Sequence, residues 1–155
     1  MKQMPRFIKR TDHTSFTVSS LSQALEFWHG ALGLEIVRQT DFRGGAYIEA
    51  ITGIPGAELA VANVAAPGHI IELIEYRAPP TRTKLEPRIC DVGSSHIAFE
   101  VDDLDGLLAE VAPLGWKPHG SPQPIAGGPR KGYRVVYVRG PDGIVLELIE
   151  PAASQ

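Results

Sequence analysis

The chain has 155 residues, of which 43% are hydrophobic and 21% are charged, and its formal net charge is −3. This length fits one compact domain that buries roughly 70% of its unfolded surface. The slightly acidic balance, with no basic stripe interleaved with aromatic residues, argues against a nucleic-acid partner. Cys90 is the single cysteine, which excludes an internal disulfide and favours a reducing compartment.

The beginning of the chain gives no targeting signal. Residues 1–10 carry charges and a proline but lack the apolar run of a signal peptide. No stretch reaches the length needed to span a membrane. We therefore predict a cytoplasmic protein with no membrane partner.

The first predicted strand covers residues 9–18. Side chains alternate along it, so that Phe16 and Val18 lie on one face and His13 and Thr17 on the other. Such alternation is expected when one face packs on a helix and the other lines a polar space.

A helix is predicted next, capped by Ser19 or Ser20 and stopped at Gly33. Its buried stripe comprises Leu21, Ala24, Leu25, Trp28 and Leu32. Strands are then predicted at 34–39, 59–64 and 68–76. Residues 47–56 fit either a short helical turn or a bulged strand.

The second half of the chain repeats the first. Four residues recur 83 positions later with the same identity, namely His13 as His96, Phe16 as Phe99, Val18 as Val101, and Leu21 as Leu104. The second copy predicts a helix from Leu104 to Gly115, a loop at 118–132 and a strand at 133–139. We therefore predict two tandem βαβββ modules, module 1 at 9–76 and module 2 at 95–151, joined by a proline-rich linker at 77–94.

Each module closes on a strand that carries a glutamate among aliphatic residues, at 68–76 and at 143–151. Because strand side chains alternate between faces, Glu72 and Glu147 each share a face with apolar neighbours. An ionised carboxylate in such a place is costly unless a cation or a hydrogen-bond donor compensates it. Either glutamate alone also fits a solvent-facing strand edge, but their recurrence favours two metal-binding strands.

The histidine strands and the glutamate strands together predict a metal centre. If the helices cover the phenylalanine face, the opposite, uncovered face carries His13, Glu72, His96 and Glu147. Imidazole and carboxylate groups suit a divalent first-row ion such as Ni, Co, Zn, Mn or Fe, and four protein ligands leave two octahedral positions for substrate oxygens. The predicted fold is α+β, with a curved mixed sheet forming a cup and the helices on its outer face.

With these features the chain resembles the vicinal oxygen chelate superfamily, which includes glyoxalase I, methylmalonyl-CoA epimerase, extradiol dioxygenases and antibiotic-resistance proteins. The resemblance covers residues 9–151 and is most specific at 96–101 and 141–150. It implies that the four residues named above are the metal ligands, in the His-Glu-His-Glu order of bacterial glyoxalase I. It also implies a small-molecule substrate and a homodimer.

The resemblance further implies proton transfer next to a carbonyl, with Glu147 as the first catalytic candidate and Glu72 as the second. Bacterial glyoxalase I has an arginine and an asparagine that serve glutathione where this chain has Thr17 and Tyr76, so the substrate is expected to differ from a glutathione adduct. Glu49 falls loosely where the epimerase has a catalytic glutamate, and it also fits a surface position.

Two other functions stay open. One is an iron(II) extradiol-type dioxygenase, which uses two histidines and one carboxylate. The other is a metal-free protein that binds or sequesters a small molecule, similar to the bleomycin-resistance members, which do not need the carboxylate ligands.

Overall fold

The computed structural model describes residues 7–153. The chain divides into two compact units, with the boundary between Thr81 and Arg82. That boundary lies inside the predicted linker, and no helix or strand occurs between Pro79 and His96. Each unit carries its own mixed sheet and few helices, so the predicted α+β class is confirmed.

The first unit contains four strands in the spatial order β1-β4-β3-β2. Its elements are β1 at Thr14–Thr17, α1 at Leu21–Leu25, β2 at Glu35–Phe42, α2 at Ala46–Thr52, β3 at Glu58–Ala66 and β4 at His69–Ala78. Strand β1 runs parallel to β4, and the other pairs are antiparallel. Strand β1 is shorter than the predicted 9–18, and its pairing with β4 extends only from Thr14 opposite Ile71 to Thr17 opposite Ile74.

Helix α1 begins as predicted at the cap residue Ser20, whose Oγ accepts a hydrogen bond from the Gln23 backbone N–H at 3.4 Å. The helix then widens into a π-helix over Glu26–Ala31. A π-helix has more residues per turn than an α-helix, which lets the consecutive residues Phe27 and Trp28 both enter the core. The predicted stripe is therefore only partly correct, since Trp28 is buried but Leu32 is half-buried.

The two faces of the first sheet are both covered, but by different helices. On one face, the Phe16 ring stacks on Trp28 of the π-helix with the ring centroids 5.6 Å apart. On the other face, Ile48 of α2 packs against Leu59 and Val61. The segment 47–56 thus contains a helix over its first part rather than a bulged strand. The prediction that this face is uncovered is wrong where α2 lies.

The second unit repeats the topology in the order β5-β9-β8-β6. Its elements are β5 at Ile97–Glu100, α3 at Leu104–Val111, β6 at Lys117–Pro118, β7 at Gln123–Pro124, β8 at Arg134–Arg139 and β9 at Val145–Glu150. The short strands β6 and β7 both pair with β8, so they take the place that β2 has in the first unit. They lie partly in the segment predicted as a loop, where two proline-containing dipeptides gave no alternating pattern.

A second glutamate on each closing strand connects that strand to a helix. Glu75 Oε2 accepts a hydrogen bond from the Leu21 backbone N–H at 2.6 Å, and Glu150 Oε1 accepts one from the Leu104 backbone N–H at 2.9 Å. Each of these carboxylates thus satisfies an N–H at a helix start, where negative charge is also favourable. This role was not predicted from the sequence, although the two glutamates recur at the same spacing as the predicted ligands.

We expect Glu75→Ala to lower the free energy of unfolding by about 1 kcal/mol, the usual cost of losing a helix cap. Urea unfolding followed by circular dichroism measures this change. Glu58→Ala, which removes an exposed glutamate at the start of β3, is the matched control and is expected to change stability little. Equal stability of the two variants would contradict the capping role.

Candidate functional site

The first histidine and glutamate form a close pair in the first unit. His13 directly precedes β1, and the parallel register pairs Ser15 of β1 with Glu72 of β4. His13 therefore lies on the same face as Glu72, and its Nε2 is 3.5 Å from Glu72 Oε1. The imidazole is exposed and the carboxylate is partly buried.

The second histidine and glutamate repeat this arrangement in the second unit. His96 directly precedes β5, and Ala98 of β5 pairs with Glu147 of β9. His96 Nε2 is 3.2 Å from Glu147 Oε2. The two pairs agree in register, distance and exposure, as the duplicated sequence predicts.

The structure therefore brings the four predicted ligands together as two pairs. Within the described part of the chain, residues 7–153, no group of three or more His, Cys, Asp or Glu side chains is arranged to hold a metal ion. The assignment of all four side chains to a single ion stays a prediction.

Each glutamate of a pair also has a partner directly across the sheet. Asn63, opposite Glu72 in the register of β3 and β4, donates from Nδ2 to Glu72 Oε2 at 3.3 Å. Tyr137, opposite Glu147, donates its hydroxyl to that carboxylate. These cross-strand partners were missed from the sequence because they depend on the strand register.

The side chain of Tyr137 packs beside the His96–Glu147 pair. Its ring meets the His96 ring edge to face, with the centroids 5.1 Å apart. Burial raises the pKa of the Tyr137 phenol, and the negative charge of Glu147 and the hydrogen bond to it raise that pKa further. The phenol therefore keeps its proton at neutral pH and acts as a hydrogen-bond donor to Glu147.

The other nitrogen of His13 is held by an acid. His13 Nδ1 lies 3.1 Å from Asp12 Oδ2, and Arg10 forms an ion pair with the same carboxylate. The hydrogen bond with His13 and the charge of Arg10 lower the pKa of Asp12, which keeps it ionised. In a neutral imidazole, an acid that accepts from Nδ1 favours the tautomer in which Nε2 is the nitrogen suited to bind a metal.

A cavity of about 290 Å³ opens on the Glu72 face of the first unit. Its lining includes Glu72, Asn63 and Arg38 from the sheet together with Tyr47 and Ile48 from α2. Glu49 of α2 instead accepts a hydrogen bond from the Gly56 backbone N–H at 2.9 Å, which supports the surface interpretation of that residue.

Comparison with known proteins identifies the class to which this fold and these pairs belong. The model of the Glyoxalase/Bleomycin resistance protein/Dioxygenase superfamily matches residues 10–148. The chain belongs to this superfamily, which confirms the resemblance predicted from the His and Glu strands.

Among residues 7–153, no helix has the length and apolarity needed to cross a membrane.

Named relatives are similar over nearly the whole chain. A 2-epi-5-epi-valiolone epimerase from an Actinomyces species is 35% identical over 146 residues, which cover 92% of this chain and 79% of that protein. A probable lactoylglutathione lyase from Synechocystis is 26% identical over 92% of this chain and 96% of its own length. These relatives support an enzyme within the superfamily.

Solved structures agree on the fold. A glyoxalase family protein from Bacillus cereus has a TM-score of 0.79 and 24% identity, with 99% of each chain covered. The fosfomycin resistance protein FosX from Mesorhizobium loti has a TM-score of 0.59 and 19% identity over 92% of this chain and 91% of its own.

Proposed function

We propose that this protein is a divalent-metal-dependent isomerase or epimerase that transfers a proton next to the carbonyl of a small substrate with two neighbouring oxygens. The observation that carries the proposal is the duplicated His–Glu pair. His13 Nε2 lies 3.5 Å from Glu72 Oε1 in the first unit, and His96 Nε2 lies 3.2 Å from Glu147 Oε2 in the second. The matched registers of the two pairs support a common function for both.

The chemistry of the donors fits a metal ion. Ligands bound at about 2.1 Å and separated by a right angle lie about 3 Å apart, given the usual lengths of bonds from Zn²⁺ to His and Glu. The nitrogen–oxygen distance in each pair is close to that value. We infer that His13 with Glu72, and His96 with Glu147, would each supply two ligands to a divalent ion.

The two pairs that would hold one ion could belong to the same chain or to two chains of a homodimer. We retain the predictions of a homodimer and of a cytoplasmic location. When bound, the ion would supply Lewis acidity toward two neighbouring substrate oxygens and so acidify the adjacent C–H group.

Glu147 is the proposed general base. Its carboxylate takes the proton from the carbon next to the carbonyl, and the resulting acid returns it. Return of this proton to the neighbouring carbon gives an isomer. An epimer requires a second acid, for which Glu72 is the candidate, to deliver a proton to the opposite face of the same carbon. Tyr137 orients Glu147 through its hydroxyl hydrogen bond, and Asn63 does the same for Glu72, the second candidate base.

Among these reactions, epimerisation has the stronger support. The relative with 35% identity is named an epimerase. Bacterial glyoxalase I recognises glutathione through an arginine and an asparagine, and this chain has Thr17 and Tyr76 at those two positions. Neither side chain offers the positive charge that an arginine would present to a glutathione carboxylate.

Metal removal tests the proposal directly. We expect the purified protein to contain a divalent ion, to lose activity after treatment with EDTA, and to regain it with nickel, cobalt, zinc or manganese. Activity is read as deuterium incorporation from D₂O into acyl-CoA epimers and methylglyoxal–thiol adducts. Full activity in the chelated protein would overturn the proposal.

Two variants locate the ion. We expect His96→Ala to weaken metal affinity by more than about a hundredfold, since even residues behind a ligand contribute 10–100-fold. His119→Ala, which removes an exposed histidine outside both pairs, is the control.

Two other results would identify the alternative functions. Ferrous-dependent oxygen uptake on catechols would identify a dioxygenase. The absence of thermal stabilisation by nickel, cobalt or zinc would identify a metal-free binding protein.

A further inference from the structure

A row of polar side chains crosses the sheet of the first unit beside His13 and Glu72. Strand pairing sets Arg38 of β2 opposite Asn63 of β3, and Asn63 opposite Glu72 of β4. Residues opposite one another share a face, and neighbouring strands are about 4.8 Å apart. Arg38 therefore lies two strands from Glu72 on the same wall of the 290 Å³ cavity.

The far end of this cavity is apolar. Phe42, Leu59 and Tyr76 form another cross-strand row on the same face, and Ile48 of α2 packs on it. A ligand in the cavity would thus direct its oxygens toward the polar row and its carbon frame toward α2. The volume equals that of about ten water molecules at roughly 30 Å³ each, which suits a small molecule.

Arg38 is a cation without an acidic partner. Its Nε donates to Thr40 Oγ1 at 3.2 Å, and within residues 7–153 no carboxylate forms an ion pair with its guanidinium. Glu72 is the one acid among the described residues that line the cavity. The two terminal nitrogens of Arg38 are consequently available to a ligand.

We propose that the substrate carries an anionic group, a carboxylate or a phosphate, and that Arg38 recognises it at the polar wall of this cavity. The inference rests on the proposed function, because the same cavity contains Glu72 of the proposed metal pair. A guanidinium with Nε already engaged presents its terminal N–H groups to an anion in a fixed plane, with charge-assisted hydrogen bonds that a neutral ligand would not form.

Two probes of equal size and different charge test this inference. Phenylacetate and phenylacetamide share a ring that suits the apolar end and differ in the group that would meet Arg38. We expect NMR titration of the protein as purified to give about tenfold tighter binding of phenylacetate, with shifts of the Asn63 and Ile48 amide signals. Benzylphosphonate distinguishes the two sources of charge, since it will bind more tightly than phenylacetate if the cavity is built for a phosphate and less tightly if it is built for a carboxylate.

Two arginine variants separate recognition by Arg38 from general electrostatic attraction. Arg38→Gln is expected to abolish the preference for phenylacetate, whereas Arg43→Gln, which removes an exposed arginine just after β2 and outside the cavity, is expected to retain it. Equal affinity for the two probes in the unmodified protein would overturn the inference. So would a preference that survives Arg38→Gln or that Arg43→Gln removes to the same extent.

Failure of this inference is distinguishable from failure of the proposed function. The metal proposal is tested by His96→Ala, which does not alter the cavity of the first unit. Unchanged metal affinity in His96→Ala, together with a charge preference that depends on Arg38, would overturn the metal site and leave anion recognition standing. The reverse pattern would overturn anion recognition alone.

Discussion

Glu147→Gln is expected to fold normally and to lose proton-transfer activity by a factor of about 10²–10⁴, the usual contribution of a positioned general base. Glutamine has nearly the same shape as glutamate and still accepts the hydrogen bond from Tyr137, so the strand β9 and its neighbours are retained. It cannot take up the substrate proton, however, and it is a weaker metal ligand than a carboxylate.

The measurement is the rate of deuterium incorporation from D₂O into the substrate, with circular dichroism to confirm the fold. Glu110→Gln removes an exposed carboxylate on α3 and is expected to keep the full rate. Glu72→Gln is expected to weaken metal binding and to slow exchange less than Glu147→Gln does. A larger loss in Glu72→Gln would assign the base to Glu72 instead.

Trp28→Ala is expected to cause the largest loss of stability, about 3–5 kcal/mol in the unfolding of the first unit. Trp28 is 1% exposed, stacks on Phe16 and meets the Phe27 ring edge to face at 5.3 Å. Truncation to alanine removes both ring contacts and leaves a cavity under the sheet that the neighbouring side chains fill only in part.

Amide hydrogen exchange in β3 and β4 measures this effect within the first unit. Val37→Ala on β2 is the control, because Val37 is 49% exposed and its truncation leaves no buried cavity. A loss below about 1 kcal/mol in Trp28→Ala would contradict the central position of this residue in the core.

The parts of the fold that repeat were predictable from the sequence. Alternation set His13 and Phe16 on opposite faces, and the duplication of that pattern at His96 and Phe99 predicted two similar units, although not their strand order. The pairing of each histidine with a glutamate follows from the same pattern, because a parallel first and last strand brings the two residues together. Two copies that agree give a stronger signal than either copy alone.

Features that occur in one copy, or that depend on register, were not predictable. Helix α2 has seven residues and buries only Ile48, so its sequence lacks the repeated apolar spacing that identifies longer helices. The π-helix adds a residue within an otherwise regular pattern. Asn63 and Tyr137 become partners of the glutamates only once the strands are aligned, and nothing within either strand marks them.

Helix α2 begins after Gly45, at φ 112°, and ends at Gly53, at φ 68°, and the second unit has no counterpart to it among the described residues. Because glycine tolerates these backbone angles and Ile48 alone anchors the segment in the core, mutations at the exposed positions of α2 are expected to leave the strands that carry Glu72 and Asn63 in place. The wall of the cavity that α2 forms can therefore be varied separately from the strands that carry Glu72 and Asn63. Substitution of Tyr47 or Ile51, which line the cavity from this helix, is expected to change which carbon frames the protein accepts.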